Sequence, residues 1–371
     1  MSLMTSLNDP RVLKLAQKVY ADHFAFDRRL ELEYDDRRKR LMYEDILYNI
    51  SFLMTAVHFS DEKIFTSYAR WLNQLLCNLM PDLDRVRIMT QMKDHYRILS
   101  QSLDDLSAEL LNSDEIASAR RFIQTAIVIA DEVVTDVPLS DQFMQGPFSG
   151  YRKMYLDAML HSNTREAYAV INRAREQGVS ILDIYENILH AVMYEVGRLW
   201  HQNKLTVDKE HYCSSVTQTV MSRFYDVLFL QPRNQRKLIC CAVGSELHEI
   251  GGRMLSDLFE YDGWDTYYLG AAVPQKALLH AISEHHPDLI ALSVTMPQHL
   301  LECESTVRTV RNLYPEIKIA VGGHAFQMTD RIWEKWPIDF YSDTAAELIE
   351  WSHKEFHLFK QASLANQRDK E

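Results

Sequence analysis

Residues 237–251 read KLICCAVGSELHEIG. The first seven, Lys237 to Val243, form a short apolar run, the texture of a strand buried within a sheet. Helical spacing of apolar residues follows from Gly251 to Phe259. The segment Ser245-Glu246-Leu247-His248-Glu249-Ile250-Gly251 is therefore a strand-to-helix loop. Loops of this kind project past the carboxyl end of a parallel sheet, where open α/β folds place their ligands. His248 offers an imidazole there. Glu246, two residues earlier, is placed to hold one ring nitrogen and leave the other for a metal. Gly251, three residues later, lets a bulky group press against the backbone.

Downstream the same alternation continues. Thr266-Tyr267-Tyr268-Leu269-Gly270 reads as a strand, followed by a helix to about His285. Then come a strand Leu289–Ser293, a helix over 298–312, a strand Ile317–Val321, a helix after Thr329, a strand Asp339–Tyr341 and a helix over 344–359. Strands alternating with helices make βαβ units, and right-handed crossovers put helices on both faces. Residues 236–360 are expected to form a Rossmann-like sheet of five parallel strands, with a frayed polar tail from Gln361 to Glu371.

Upstream the chain reads as helical. Helices over 151–162, 164–177, 181–201 and 207–230 predict a four-helix-bundle cap over residues 150–231, with Gly178-Val179-Ser180 as a stop and restart. Pro232-Arg233-Asn234-Gln235 ends it, and breakers from Asp136 to Ser140 and Pro147 to Gly150 mark a linker before it. Residues 1–140 show helical periodicity throughout, with starts at Ser60-Asp61-Glu62 and Pro81-Asp82, and predict an all-helical domain of five to seven helices. The fold class is α plus α/β.

Composition limits the function. The 371 residues suit two or three domains, and 47% hydrophobic with 25% charged residues is an ordinary globular balance. A net charge of −12 argues against nucleic-acid binding. Residues 1–140, with 22 acidic and 17 basic side chains (22 − 17, a net of −5), repeat that argument, so no direct DNA binding is expected. The basic run Arg37-Arg38-Lys39-Arg40 follows Glu31, Glu33, Asp35 and Asp36 and reads as a solvated helix face. Five cysteines without a CxxC pair fit neither a disulfide framework nor a structural zinc site, and Cys240 and Cys241 belong to a buried, inert strand. The absence of a signal-like or membrane-spanning apolar run gives the expectation of a cytoplasmic protein with no membrane association.

Three loops carry the chemistry: Glu246 to Gly251, then Ser293-Val294-Thr295, then Gly322-Gly323-His324. Together they resemble the cobalamin-binding signature of methionine synthase and its relatives, Asp-x-His-x-x-Gly, Ser-x-Leu and Gly-Gly. Residues 252 to 292, a count of 41, and 296 to 321, a count of 26, separate the loops, spacings typical of that family. The resemblance implies that His248 is the lower cobalt ligand in place of the cofactor's own base. The displaced tail would lie between the second and third loops, with Ser293 reaching it and Gly322 and Gly323 letting it pass. Glu246 replaces the usual Asp, one methylene longer, so its hold on His248 is direct or through water. Thr295 replaces the usual Leu and adds a hydroxyl. His324 is a further contact to the tail. Glu284-His285-His286-Pro287 and Gln298-His299 are metal-friendly in type, but the first ends a helix away from the sheet's carboxyl edge.

The cap carries Gly197-Arg198-Leu199-Trp200-His201 and then Glu210-His211. This resembles the Trp-His and Glu-His pattern of the adenosylcobalamin photoreceptors, the CarH-type transcriptional regulators. The resemblance implies that Trp200 packs over the 5′-deoxyadenosyl group, Glu210 accepts from its ribose hydroxyls and His211 supports the cavity. It further implies that light cleaves the cobalt–carbon bond, the adenosyl group leaves, and His201 becomes the upper cobalt ligand. The competing account is that Trp200-His201 only ends a helix. No MerR-like winged-helix pattern precedes the cap. Tyr48 to Leu53 and Phe65 to Leu72 instead resemble the globin-like helical domain of photocobilins, sensors that pair cobalamin with a bilin. That makes His58, Tyr68, Arg70, Trp71, His95 and Tyr96 candidates around biliverdin, against the account that Tyr68 and Trp71 are core. The expectation is a non-enzymatic light sensor that forms a homo-oligomer with light-dependent assembly and signals to a downstream protein partner. Two rivals stay open: a corrinoid carrier for methyl transfer, and an antirepressor that binds a transcription factor using cobalamin or haem.

Overall fold

Helix starts in the N-terminal part follow from capping chemistry. Asp9 caps α1 (Pro10–Phe26), with Pro10 at its first position. Asp35 caps α2 (Asp36–Phe59) by accepting from the Arg38 amide, and Asp61 caps α3 (Glu62–Leu79) by accepting from the Lys63 amide. After α4 (Arg85–Leu110), Asn112 and Glu115 form a reciprocal capping box at the start of α5 (Ser113–Ile129). Ile50, Leu53, Phe65, Tyr96 and Phe122 are fully buried where these helices meet, while Arg37, Arg38 and Arg40 lie exposed, as a solvated face should. This is a computed structural model, and it describes residues 9–81, 83–132 and 141–357. Asp82, the breaker stretch Asp136–Ser140 and the tail Gln361–Glu371 lie outside the described residues.

The cap packs α6 (Ser149–Leu160), α7 (Thr164–Glu176), α8 (Ile181–His201) and α9 (Val207–Met221) around Tyr155, Val170, Ile188, Val192 and Met221. Gly178, at φ +82°, makes the break before α8. α8 is one helical rod with three windings: Ile181–Asp183, a π-helical stretch Ile184–His190, and Ala191–His201. The π winding, absent from the sequence expectation, shifts the phase of the side chains around the rod. From it the Tyr185 hydroxyl donates to buried Asp257 at 2.9 Å, and Glu186 accepts from the Ala346 amide at 2.9 Å. The expected helix over 207–230 ends at Met221 and gives way to the short turns Ser222–Phe224 and Tyr225–Leu228.

The C-terminal part is the expected parallel sheet. Its order is β2-β1-β3-β4-β5, from β1 (Lys237–Val243), β2 (Asp265–Val273), β3 (Leu289–Ser293), β4 (Lys318–Gly322) and β5 (Phe340–Ser342). Helices α10 (Ile250–Tyr261), α11 (Gln275–His285), α12 (Leu300–Leu313) and α13 (Ala345–Glu355) follow in the connections. β1, β3 and β4 are apolar and nearly wholly buried because helices cover both faces. The edge strand β2 slips register against β1 twice, near Cys240/Cys241 and Cys241/Val243. That irregularity brings the Ala272 amide to the Glu246 carbonyl at 2.8 Å and anchors the loop after β1.

The parts are joined. Met254 and Leu258 of α10 enter the cap's core. The end of α2 meets the sheet domain, with the Phe59 ring 5.8 Å from Trp336 and Lys63 Nζ donating to the Thr329 carbonyl at 3.1 Å. No helix among the described residues is long and apolar enough to cross a membrane.

Candidate functional site

The loops after β1 and β3 lie side by side because these strands are neighbours whose connections leave in opposite directions. This is the switch point at which parallel α/β sheets open a crevice. Glu246 is 1% exposed at its base, and the His248 ring, 56% exposed, rises above it. Glu246 Oε1 accepts from His248 Nδ1 at 2.6 Å and from the His248 amide at 3.0 Å. Glu246 Oε2 accepts from the amides of Thr295 at 2.9 Å and Met296 at 2.7 Å. The longer Glu therefore grips the imidazole directly, with no water between them. Its grip leaves the proton on Nδ1, and Nε2 has no hydrogen-bond partner among the described residues.

Glu246 and His248 also act on one another electrostatically. Burial opposes the charge on Glu246, yet the ring and amide of His248 hold its carboxyl down at about 2. Burial also disfavours a charged His248, but Glu246, helped by Glu210 of the cap, raises its pKa above the ordinary imidazole value. Burial lowers that of His299, which sits 5% exposed in the same electrostatic neighbourhood.

The other expected residues are distributed around this centre. Gly251 has open space where a Cβ would be, so a ligand can approach it. Ser293 pairs with Gly322 in the β3–β4 register. The hydroxyls of Ser293 and Thr295 have no hydrogen-bond partner among the described residues, and Thr295 serves the site through its amide. The glycine pair has a reason nearer than a ligand. A Cβ on Gly322 would stand 2.6 Å from the Ser342 carbonyl oxygen, and one on Gly323, at φ +104°, 2.4 Å from that of Val294. The chain's own backbone already stands where a Cβ would go at both positions. His324 meets the edge of the Tyr194 ring of α8 at 6.2 Å.

On the cap side, Glu210 Oε2 accepts from His211 Nδ1 at 2.6 Å and Oε1 from Ser214 at 2.8 Å. Trp200 packs on the cap's core. His201 lies at the end of α8 against the N-terminal part, with Nε2 donating to the Trp71 carbonyl at 2.9 Å. Cap and sheet are held together nearby, as Gln218 donates to Glu249 at 3.0 Å and Arg253 to Ser222 at 2.8 Å.

Two of the six residues expected around a bilin are engaged elsewhere. Arg70 pairs with Glu132 at 3.0 Å rather than waiting for a propionate, and His58 turns to Glu304 of the sheet domain at 3.1 Å. Tyr68 is buried between the rings of Phe52 and Trp71. His95 and Tyr96 lie deeper, with His95 Nδ1 3.0 Å from His23 Nε2. The His285 ring stacks on Tyr267 at 3.9 Å, and no group of three metal-capable side chains occurs among the described residues. The two amides that complete the Glu246 site escaped sequence reading because a backbone N–H carries no residue identity.

Known proteins are similar in the same regions. Residues 236–348 match the B12 binding domain family, and residues 151–225 match a second B12 binding domain family. The HTH-type transcriptional repressors CarA and CarH of Myxococcus xanthus are 26% and 27% identical, over 41% and 42% of this chain and 52% and 51% of theirs. The chain thus spans about half the length of these curated relatives. The dimethylamine corrinoid protein of Methanosarcina barkeri is 23% identical over 52% of this chain and 91% of its own. The fold is shared with the Methanosarcina barkeri monomethylamine corrinoid protein, at TM-score 0.50 and 19% identity over 56% of this chain and all of that one. The chain thus carries a cobalamin-binding module, a helical B12 binding domain at 151–225 and a sheet B12 binding domain at 236–348, similar to that of the CarA and CarH repressors.

Proposed function

We propose that the protein is a B12-dependent photoreceptor of CarH type, built as an N-terminal domain over 1–140, a cap over 150–231 and a cobalamin domain over 236–360. The observation that carries it is His248, locked by buried Glu246 through Nδ1 with Nε2 unpaired and exposed. This donor set fits the lower face of cobalt, for which neutral imidazole is an apt ligand. Adenosylcobalamin, when bound, supplies a cobalt–carbon bond that light breaks. Trp200 and Glu210 hold the adenosyl group, with His211 keeping Glu210 in place. Ser293, Thr295, Gly251, Gly322, Gly323 and His324 line the path of the tail. His201 would be the second residue to hold the cobalt once the adenosyl group has gone, and the accompanying shift of the cap would bias oligomer contacts and a downstream protein partner.

Absorbance of the adenosylcobalamin-loaded protein tests this before and after illumination. Light should convert the spectrum to that of a bis-histidine species, and His201→Ala should bind in the dark yet give a different light product. Identical light spectra in mutant and wild type would remove His201 from the reading. A second reading, a corrinoid carrier for methyl transfer, is favoured by the dimethylamine corrinoid protein, nearly all of which this chain matches. It requires a preference for methylcobalamin and a separate methyltransferase.

For the N-terminal domain we propose a bilin, biliverdin, near His95 and Tyr96. Support comes from the buried His95 Nε2, Tyr96 hydroxyl and Asn49 Oδ1, which lack hydrogen-bond partners. No red-shifted absorbance on adding biliverdin would exclude it.

A further inference from the structure

His201 is held by the N-terminal domain at both its side chain and its main chain. Nε2 lies 2.9 Å from the Trp71 carbonyl oxygen, and the two rings stack with centroids 5.2 Å apart at 20°. Asn78 Nδ2 donates to the His201 carbonyl at 3.1 Å, and Asn203 Nδ2 returns a bond to the Asn78 carbonyl at 3.2 Å. All of these contacts come from α3 and cross 123 to 130 residues of sequence. From Trp71 ring contacts continue inward, to Tyr68 at 6.1 Å, Phe65 at 6.4 Å, Tyr96 at 6.0 Å, His95 at 5.5 Å and His23 at 5.2 Å.

A carbonyl oxygen only accepts, so Nε2 must carry the proton in this contact. A ring nitrogen that donates N–H has no lone pair for a metal. One Nε2 therefore cannot serve Trp71 and cobalt together. We propose that the N-terminal domain and cobalt compete for the same nitrogen of His201, so that the Trp71–His201 clasp is how the state of the cofactor reaches the N-terminal domain. Trp71 and Asn78 are then positioning residues: they hold His201 back in the dark and release it after light. On release the Nε2 proton passes to solvent and Nδ1 is protonated in turn, leaving the ring neutral and Nε2 free to donate its pair. The proposal rests on the reading of His201 as upper ligand.

Hydrogen exchange over α3 and over 191–203, taken beside the visible spectrum of the full chain loaded with adenosylcobalamin, tests the competition. In the wild type, light should raise exchange in the second half of α3 together with the bis-histidine spectrum. Trp71→Ala and, separately, Asn78→Ala should raise that exchange already in the dark and speed arrival at the light spectrum about 3- to 10-fold, the scale of one lost aromatic or hydrogen-bonding contact. Trp71→Phe, which keeps a ring to stack on, should restore most of the dark protection. Trp71 is 36% exposed, so its truncation does not empty the bundle's core. If the wild type reaches the bis-histidine spectrum while α3 stays as protected as in the dark, the clasp does not compete and this proposal falls alone. If His201→Ala gives the wild-type light spectrum, the upper-ligand reading falls and the competition with it.

Discussion

A single buried carboxylate organises the His248 loop. Glu246 spends all its contacts inside the protein, two on His248 and two on the amides after β3. Its pKa of about 2, below the ordinary 4.5, means that its contribution to stability is complete above pH ~4.5 and is lost as pH falls through about 2. Glu246→Gln removes the charge that opposes burial at His248. The His248 pKa, read by NMR titration of the cofactor-free protein, should then drop, because burial disfavours the charged ring. Cobalamin affinity should fall about 10- to 100-fold in a spectral titration, the usual cost of losing the group that orients a metal-bound histidine. An unchanged His248 titration would refute this role. The glutamate and histidine were legible as a pair at spacing two, but the directness of their bond was not, since one methylene decides it only within a folded loop.

At the scale of elements, the glycines separate into two kinds. Gly323 sits at φ +104° with the Val294 carbonyl where a Cβ would go, so Gly323→Ala should destabilise the cofactor-free protein by about 2 kcal/mol or more in thermal unfolding. Gly251 begins a helix with open space at the Cβ position, so Gly251→Ala should leave apo stability within ~0.5 kcal/mol while weakening cobalamin binding. Equal destabilisation by both changes would contradict the distinction. Strands β1 and β3 were readable to the residue, because a fully buried strand is a continuous apolar run between breakers. The π winding in α8 was not, because its apolar positions mimic an ordinary helix and contacts to Asp257 and Ala346 accompany the extra residue.

At the scale of the whole molecule, the N-terminal part contains an acid-sensitive pair. Burial lowers His23 to about 4 and, with His23 beside it, His95 to about 3. Both are folded-state values below the ordinary 6.5, so the unfolded chain binds more protons between those limits. Stability is complete above pH ~6.5 and declines as pH falls toward about 4 and 3. A loss on the order of 1–2 kcal/mol from pH 7 to 5 is expected in denaturant unfolding followed by far-UV circular dichroism. His95→Phe should flatten that slope, and an unaltered slope would exclude the pair as its source.

Local chemistry written in the chain was enough for the alternation of strands and helices, the caps, the buried strands and the loop that carries His248, because periodicity and capping act over a few residues. Folding was needed to bring Glu246 under the amides of Thr295 and Met296, to give Gly322 and Gly323 a backbone reason, and to set His201 on Trp71. Those pairings join positions about 50 to 130 residues apart, or the main-chain atoms of neighbouring strands, and only packing of the assembled layers chooses among such partners.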